Sequence, residues 1–359
     1  MTKRAALILA GGKARRFQTK NAKWEDKALA ELSGKPLLIH AIENVQDVVD
    51  EIVIVVNDEE RKAKYAQILK KHAFTYIQIV VDEKNSHIRG PNVAIMSGLK
   101  SIQSDCCLTL PCDMPFLKPT VADYLFRKAE GFEVVTPMWP NGSLETLIMV
   151  LERQSGVEIA ETLCKLNRPR SDDIPRGASE ILFASPMNHI KTLDPELKSF
   201  ININFKEDLS RLQTRRAHGP VTEDLPVKLG VLSISDMQLL REGAEMLHGG
   251  KLSEAQSTFA WCVSHFEVSN SFFWAAISGE SQGEALLKLQ LEPEGPAERD
   301  FEFKKAYLNA ASNYQIEAKI HKENRCMLLA ERALADKAWC ESWVMGNQGH
   351  VHRYPSKVP

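Results

Sequence analysis

The sequence lacks a continuous apolar run of the roughly 20 residues that a membrane-spanning helix needs, and it also lacks a strong net charge. Its 45 Lys and Arg residues nearly balance its 47 Asp and Glu residues, so the formal net charge is -2 at pH 7. A balanced composition gives no bulk attraction to nucleic acid or to an anionic membrane. We therefore expect neither nucleic acid nor a membrane as a partner.

The cysteines are scattered and follow no pattern. The chain has 7 cysteines, an odd number, and no two of them have Cys-x-x-Cys spacing. This distribution fits neither a disulfide framework nor a zinc site. It predicts buried or free thiols in a protein of the reducing cytoplasm.

The order of apolar and amphipathic segments divides the chain of 359 residues into two domains. Over 1–212, β-branched runs such as Ile52–Val56 alternate with helical segments such as Glu59–His72. This alternation predicts an α/β, Rossmann-like domain with a mostly parallel sheet. Within it we also expect a helix over Asp173–Leu182 and a last strand over Phe200–Asn204.

The second half of the chain has a different periodicity. A stretch with Arg, Gly and Pro, residues 213–227, is predicted to be a linker. Beyond it, residues 228–345 show helical spacing interrupted by Gly-containing turns. This pattern predicts an all-α, tetratricopeptide-like domain of helical hairpins, followed by a loose tail over 346–359.

A glycine pair follows the first predicted strand. The segment Leu9-Ala10-Gly11-Gly12 leads from this strand into a loop that carries Lys13, Arg15 and Arg16. Backbone N–H groups without neighbouring Cβ atoms hold phosphates, and the cations favour negative charge. The segment therefore predicts a nucleotide triphosphate site, although an ordinary strand-to-loop turn would have the same glycines.

A carboxylate between two prolines follows the fourth predicted strand, in Pro111-Cys112-Asp113-Met114-Pro115. A rigidly placed Asp113 suits Mg²⁺, which binds one or two carboxylates together with substrate phosphates. Asn204 near the end of the last predicted strand is a second metal candidate. The alternatives are a turn role for Asp113 and a helix cap for Asn204.

Other loops at the same predicted edge of the sheet supply further candidates. Lys27 is placed to neutralise phosphate charge, and Asn57, Asp82 and Gly90 are candidate nucleotide contacts. In the lip between two later strands, Asn141, Gly142 and Glu145 are candidate contacts to an acceptor molecule, or parts of a plain hairpin turn.

In their order along the chain these motifs resemble the NTP-transferase family typified by molybdenum cofactor guanylyltransferase. The resembling segments are Leu9–Gly12, Arg16-Phe17, Asp26-Lys27, Gly90-Pro91, Cys112–Pro115, Asn202–Asn204 and Glu207–Leu209. The resemblance covers about residues 3–212. Gln18 stands where the family has glycine, and the loop from Gln18 to Glu25 is longer than usual.

The resemblance implies a sheet of the nucleotide-diphospho-sugar transferase type and a Mg²⁺-dependent nucleotidyltransferase. GTP is the favoured donor, molybdopterin the favoured acceptor and pyrophosphate the second product. It implies catalytic roles for Arg16, Lys27 and Asp113. Two alternatives stay open: transfer to another phosphorylated acceptor, such as cobinamide phosphate or a sugar phosphate, and a nucleotide-sensing scaffold whose helical domain binds a protein partner.

Overall fold

The chain combines one large sheet with a group of long C-terminal helices. The computed structural model describes residues 2–12, 14, 16–18, 24–83, 88–209, 220, 222–290 and 299–346. The strands within these residues are β1 Arg4–Leu9, β2 Glu31–Leu32, β3 Lys35–Pro36, β4 Glu51–Val56, β5 Gln78–Val81, β6 Cys106–Pro111, β7 Val134–Pro137, β8 Met149–Glu152, β9 Glu180–Ala184 and β10 Leu225–Lys228.

The helices lie between the strands in the first half and follow one another in the second. Their bounds are α1 Leu37–Glu43, α2 Glu59–Lys71, α3 Pro91–Ser101, α4 Pro119–Lys128, α5 Arg153–Lys165, α6 Asp173–Gly177, α7 Lys191–Leu193, α8 Ile234–His248, α9 Leu252–Val268, α10 Phe272–Gln290, α11 Arg299–Glu323 and α12 Met327–Val344. Single helical turns occupy Lys27–Leu29, Pro186–Ile190, Lys198–Phe200 and Lys206–Leu209.

Eight of the described strands form one sheet in the order β10-β9-β7-β8-β6-β1-β4-β5. Strands β1, β4, β5, β6, β7 and β9 run in one direction, and β8 and β10 run against it. The prediction of a mostly parallel α/β sheet is thus confirmed. Strand β1 lies in the interior of the sheet, between β6 and β4.

Both faces of the sheet are covered, which explains why β1 is a continuous apolar run rather than an alternating one. Ala5 and Leu7 point into the core shared with α3, α5 and the C-terminal helices. Ala6 and Ile8 point into the opposite core, against α1, α2 and α4. The sheet therefore separates two apolar layers.

The C-terminal helices α8–α12 pack onto one of these layers instead of forming a separate core. Trp274 of α10 is buried, and its indole nitrogen donates to the carbonyl of Gly177 over 2.8 Å. A Cβ built on Gly177 would lie 2.7 Å from the Trp274 ring, so this contact requires glycine. An all-α second half is confirmed, whereas its tetratricopeptide-like nature stays a prediction, because α8–α12 have lengths of 15, 17, 19, 25 and 18 residues that repeat no unit.

Two predicted elements are wrong. The predicted helix Asp173–Leu182 ends at Gly177, and its second half belongs to β9, whose buried residues pair with β7. The predicted strand Phe200–Asn204 does not join the sheet, and Ile203 packs instead with Phe17 and neighbouring apolar side chains. In both cases long-range packing decided the local structure, which sequence periodicity does not report.

The predicted linker 213–227 is also wrong in part. Residues 210–219 and 221 lie outside the described residues, but Leu225–Lys228 form β10, which pairs antiparallel with β9 at the sheet edge. The first domain thus takes a strand from beyond its predicted end. The predicted tail from residue 347 onward also lies outside the described residues.

All seven cysteines are buried and free, as their spacing predicts. None of the described helices is at once long enough and apolar enough to cross a membrane.

Candidate active site

A cavity of about 1040 Å³ opens where β1, β4, β5 and β6 end. Because these strands are parallel, the loops that follow them meet at one edge of the sheet, the usual place for ligands in open α/β sheets. The predicted catalytic, nucleotide and metal residues all line this cavity, namely Leu9, Ala10, Gly11, Gly12, Arg16, Lys27, Asn57, Asp82, Gly90, Asp113 and Asn204. Residues from distant parts of the chain thus converge at one edge of the sheet.

The glycine pair after β1 leaves open space in the cavity wall. A Cβ built on Gly12 would meet no atom within 4 Å, whereas one on Gly11 would lie 3.2 Å from the backbone nitrogen of Asn57. Neither glycine has a positive φ. Gly11 thus allows close packing against Asn57, Gly12 leaves open space, and neither glycine is required by a left-handed backbone conformation. Of the three predicted cations, Arg16 is exposed at the cavity, and Lys13 and Arg15 lie outside the described residues.

Helix α2 holds this loop through a residue that sequence analysis missed. The buried guanidinium of Arg61 donates to the carbonyl oxygens of Ala10 and Gly12 over 3.3 and 3.2 Å, and its Nε lies 3.6 Å from Asp26 Oδ2. Tyr65, one turn further on, donates to Asp26 over 3.0 Å. Burial raises the pKa of the Tyr65 hydroxyl well above its usual range, so this group stays a donor.

Asp26 has a positioning role in the Asp-Lys pair. Its carboxylate accepts from Ala28 N over 3.2 Å and caps the helical turn that begins at Lys27. The same carboxylate faces Arg61, so one acidic group joins the turn of Lys27 to the glycine loop. The sequence signal was available: Arg61 and Tyr65 are four residues apart and share one helix face.

Lys27, Asp113 and Asn204 meet at one point of the cavity although they are far apart in the chain. Lys27 Nζ lies 2.5 Å from Asp113 Oδ2 and 3.5 Å from Asn204 Oδ1. Asp208 accepts hydrogen bonds from the backbone nitrogens of Asn204 and Phe205 over 2.7 and 2.8 Å. Asp208 is the acceptor in both bonds, the Asn204 side-chain oxygen accepts from Lys27, and no hydrogen bond among the described residues gives the Asn204 side chain a capping role.

The oxygen atoms at this point fit a magnesium ion. Asp113 Oδ1 is buried and has no hydrogen-bond partner among the described residues. Leaving such an oxygen unpaired costs free energy, so this oxygen is available to a bound cation or to water. The described residues contain no group of three His, Cys, Asp or Glu side chains that could hold a metal alone. A cation bound by Asp113 and Asn204 would therefore complete its shell with substrate phosphate oxygens and water, as Mg²⁺ commonly does.

Two more acceptor atoms in the cavity wall have no donor among the described residues. Asn57 Oδ1 and Asp82 Oδ1 are buried without a hydrogen-bond partner among the described residues. Burial raises the pKa of Asp82 to about 6, and this value already includes the smaller, opposing effect of the nearby Arg89. These oxygens suit a ligand that brings N–H or O–H donors.

The lip does not line this cavity, although it follows β7, which runs in the same direction as β1, and therefore lies at the predicted edge of the sheet. Asn141, Gly142 and Glu145 are absent from the cavity lining. Glu145 accepts from the indole of Trp139 over 2.7 Å, Asn141 accepts within its own turn, and the Gly142 carbonyl accepts from Leu328 N over 3.1 Å. Strands β8 and β6 separate β7 from β1, and the turn between α11 and α12 contacts the lip at Gly142. The structure thus gives no support to an acceptor-binding role for these residues.

Gln18, at the position where glycine was expected, closes the long loop at its base. Its amide nitrogen donates to the carbonyls of Ala14 and Glu25 over 3.1 and 2.9 Å, and its oxygen accepts from Glu25 N over 2.8 Å. Residues 19–23 lie outside the described residues. Because both ends of the loop are joined, its extra length does not move Lys27 away from Asp113.

Comparison with known proteins matches the half of the chain that contains the cavity. A model described as the MobA-like NTP transferase domain matches residues 6–172. The probable molybdenum cofactor guanylyltransferase of Methanosarcina acetivorans is 32% identical over 210 residues, which are 58% of this chain and 89% of that protein. The corresponding protein of Methanosarcina mazei is 31% identical over 209 residues, with the same two coverages of 58% and 89%.

More distant relatives match with similar coverage. The molybdenum cofactor guanylyltransferase of Shewanella putrefaciens is 28% identical over 205 residues, 56% of this chain and 92% of its own length. A crystal structure of molybdopterin-guanine dinucleotide biosynthesis protein A from Archaeoglobus fulgidus is 23% identical, with a TM-score of 0.48, and covers 58% of this chain and 95% of that one.

Proposed function

Because the chain belongs to the MobA-like NTP transferase family, whose members matched here are nucleotidyltransferases, we propose that it transfers GMP from GTP to molybdopterin and releases pyrophosphate. Two facts support the choice of substrates: the names of the relatives and the acceptor oxygens that line the cavity. The meeting of Lys27, Asp113 and Asn204 in one cavity carries the proposal.

The reaction needs no oxidant or reductant. A phosphate oxygen of the acceptor attacks the α-phosphorus of GTP, and a new P–O bond forms. The bond from the α-phosphorus to the bridging oxygen breaks, and pyrophosphate leaves with the electron pair. In such transfers the protein mainly positions the reactants and neutralises charge.

Each group in the cavity has a part in this chemistry. The open space at Gly12 receives phosphate oxygens, and Arg16 and Lys27 neutralise the charge that develops on the leaving pyrophosphate. Asp113 and Asn204 would hold Mg²⁺. When bound there, the ion supplies Lewis-acid stabilisation of the phosphate oxygens.

Asp82 favours guanine over the other bases in this proposal. Guanine presents the N1–H and 2-amino donors side by side, and a carboxylate accepts from both. Adenine and cytosine each place an acceptor next to their amino group, which would face the same carboxylate unfavourably. The unpartnered Asp82 Oδ1 in the cavity wall supplies one of the two acceptors.

The test is pyrophosphate release with Mg²⁺ and GTP, ATP or CTP, each with and without molybdopterin. We expect release with GTP plus molybdopterin and background levels otherwise. Asp113→Ala should lower the rate by about 100-fold or more, because it removes the carboxylate proposed to hold the Mg²⁺ that stabilises the reacting phosphates. Asp47→Ala, which removes an exposed carboxylate outside the cavity, is the matched control.

The other outcomes separate the alternatives. Release with cobinamide phosphate or a sugar phosphate in place of molybdopterin would replace the acceptor and keep the site. GTP binding without release on any acceptor would favour the nucleotide-sensing scaffold. An undiminished rate in Asp113→Ala would overturn the assignment of the site.

A further inference from the structure

A buried cluster of charged side chains joins the two halves of the chain. We call it the interdomain charge cluster; its members are Arg168, Asp173 and Arg176 from the sheet domain and Glu280, Glu317 and Asp336 from the C-terminal helices. Ion pairs taken out of water are costly to break, because the remaining partner is left as an uncompensated buried charge. The cluster therefore holds its members in place.

Arg168 is held from the helical side. Its side chain is 0% exposed. Its Nη1 donates to Asp336 over 3.0 Å. Its Nη2 donates to both carboxylate oxygens of Glu280 over 3.0 Å and contacts the hydroxyl of Tyr314. Residues of three C-terminal helices, α10, α11 and α12, thus contact one side chain from the sheet domain.

The backbone of the same segment supports the cavity. The Arg168 carbonyl accepts from the side-chain amide of Asn92 over 2.9 Å, and the Pro169 carbonyl accepts from the Asn92 backbone over 3.1 Å. A Cβ built on Gly90 would lie 2.5 Å from the Pro169 carbonyl oxygen, so the two backbones are in direct contact. Gly90 and the following Pro91 line the cavity.

We propose that Arg168 is a positioning residue through which the C-terminal helices, by way of Asn92, fix the cavity wall at Gly90 and Pro91 and thereby set the affinity of the cavity for nucleotide. The path runs from Glu280 and Asp336 to the Arg168 side chain, from its backbone to Asn92, and from there to the cavity wall. The helical half of the chain is then a part of the nucleotide site rather than an appended module. This inference rests on the proposed function only in taking the cavity to bind a nucleotide.

Arg176 provides a matched control within the same cluster. It is also buried, it makes a bidentate pair with Glu317 over 2.6 and 3.0 Å, and it donates to Asp336 over 2.8 Å. Among the described residues no hydrogen bond joins Arg176 to α3. Changing either arginine disturbs the cluster, but only Arg168 is linked to the wall of the cavity.

The experiment measures GTP binding to the full chain and, separately, the KM for GTP and kcat of pyrophosphate release. We expect Arg168→Lys and Asn92→Ala each to weaken GTP binding by about tenfold, within the usual range of coupling between sites, and to raise KM with little change in kcat. Arg176→Lys should lower stability but leave GTP affinity at the wild-type value. The double variant Asn92→Ala/Arg168→Lys should bind GTP no more weakly than either single variant, because both cut the same path.

Several results would overturn the inference. Equal loss of GTP affinity in Arg168→Lys and Arg176→Lys would show that Arg168 contributes only to general stability. Additive losses in the double variant would show that Arg168 and Asn92 do not act through the same path. If Arg168→Lys does not fold, Glu280→Gln tests the helical side with a side chain of the same size and should weaken GTP binding in the same direction. GTP binding that follows the expected pattern without pyrophosphate release would overturn the transferase proposal alone, and absence of GTP binding to the wild-type chain would overturn this inference.

Discussion

Asp82 shows how burial prepares a single side chain for a ligand. Its carboxylate lies in the cavity wall, one oxygen has no partner among the described residues, and burial raises its pKa to about 6 against the opposing charge of Arg89. The folded chain therefore carries a free-energy cost for keeping this group ionised at neutral pH. Such costs are common where a group serves a site rather than stability.

Asp82→Asn should stabilise the ligand-free chain in a pH-dependent way. An aspartate whose folded pKa lies above the unfolded value of about 3.9 contributes favourably at low pH and loses that contribution as pH rises through about 6. The neutral amide removes this dependence. Because the group is partly solvated, we expect the variant to gain about 1 kcal/mol in the free energy of unfolding between pH 5 and pH 8, relative to wild type.

Chemical denaturation at pH 5 and pH 8 measures this gain. Glu83→Gln, the exposed neighbouring residue, controls for the loss of one negative charge from this region. A difference between Asp82→Asn and wild type that is the same at both pH values would contradict the prediction.

Helix α2 illustrates how one element supports a site that it does not supply. Arg61 and Tyr65 face inward from a helix whose other residues are mostly charged, and they hold the carbonyls after β1 and the carboxylate of Asp26. Glycine loops have little intrinsic order, because glycine loses more conformational freedom on folding than other residues. Hydrogen bonds from the buried face of α2 therefore restrain the loop at Gly11 and Gly12, which the glycines themselves do not restrain.

Arg61→Met should weaken both folding and nucleotide binding. The change leaves Asp26 buried without its cation, which we expect to cost about 3 kcal/mol in the free energy of unfolding. It also frees the glycine loop, and we expect the KM for GTP to rise about tenfold, equivalent to ~1.4 kcal/mol. Denaturation and steady-state pyrophosphate release measure the two effects.

Lys64→Ala is the control for Arg61→Met, because Lys64 is an exposed cation on the same helix. Tyr65→Phe removes only the hydroxyl and should give a smaller rise in KM if the larger change prevents folding. An Arg61→Met protein with a wild-type KM would show that α2 does not order the loop.

The two halves of the chain fold around a shared core rather than as separate bodies. Residues of α3, α5, β9 and the C-terminal helices belong to one apolar cluster, and Trp274 is seated on Gly177. The lip also packs tightly against the turn between α11 and α12. Gly142 has a φ of +77°, and a Cβ there would collide with the backbone of Arg325 and Met327. We therefore expect the helical half to unfold together with the sheet domain.

Gly142→Ala should separate this interdomain contact from backbone strain. Gly131→Ala is the matched control, because Gly131 has a similar φ of +82° but no atom within 4 Å of a built Cβ. The control should lose about 1 kcal/mol in the free energy of unfolding, from the left-handed conformation alone. Gly142→Ala should lose about 2 kcal/mol more, because the backbone of the α11–α12 turn must move.

Denaturant unfolding followed by tryptophan fluorescence checks both variants. Equal losses in Gly142→Ala and Gly131→Ala would contradict a tight contact between the lip and the C-terminal helices.

Much of the sheet domain and its cavity follows from local pattern. The apolar runs predicted β1, β4 and β6, and the residues after them, Gly11, Asn57 and Asp113, meet because parallel strands end at one edge. The motifs resembling a known family placed Lys27 and Asn204 in the same site. The structure then showed what no motif indicated: the support from Arg61 and the unpartnered oxygen of Asp113.

The amino-acid order alone was enough to predict the strand–helix alternation, a part of the cavity lining and the all-α second half, because these depend on periodicity and on residues next to strand ends. Tertiary contacts decided the rest. Leu225–Lys228 form β10 because they pair with the edge strand β9, and Phe200–Asn204 do not join the sheet because Ile203 packs in another apolar cluster. The lip contacts the turn between α11 and α12 through Gly142. Each of these outcomes depends on partners more than 40 residues away, or on another layer of the molecule, and a local pattern carries no record of them.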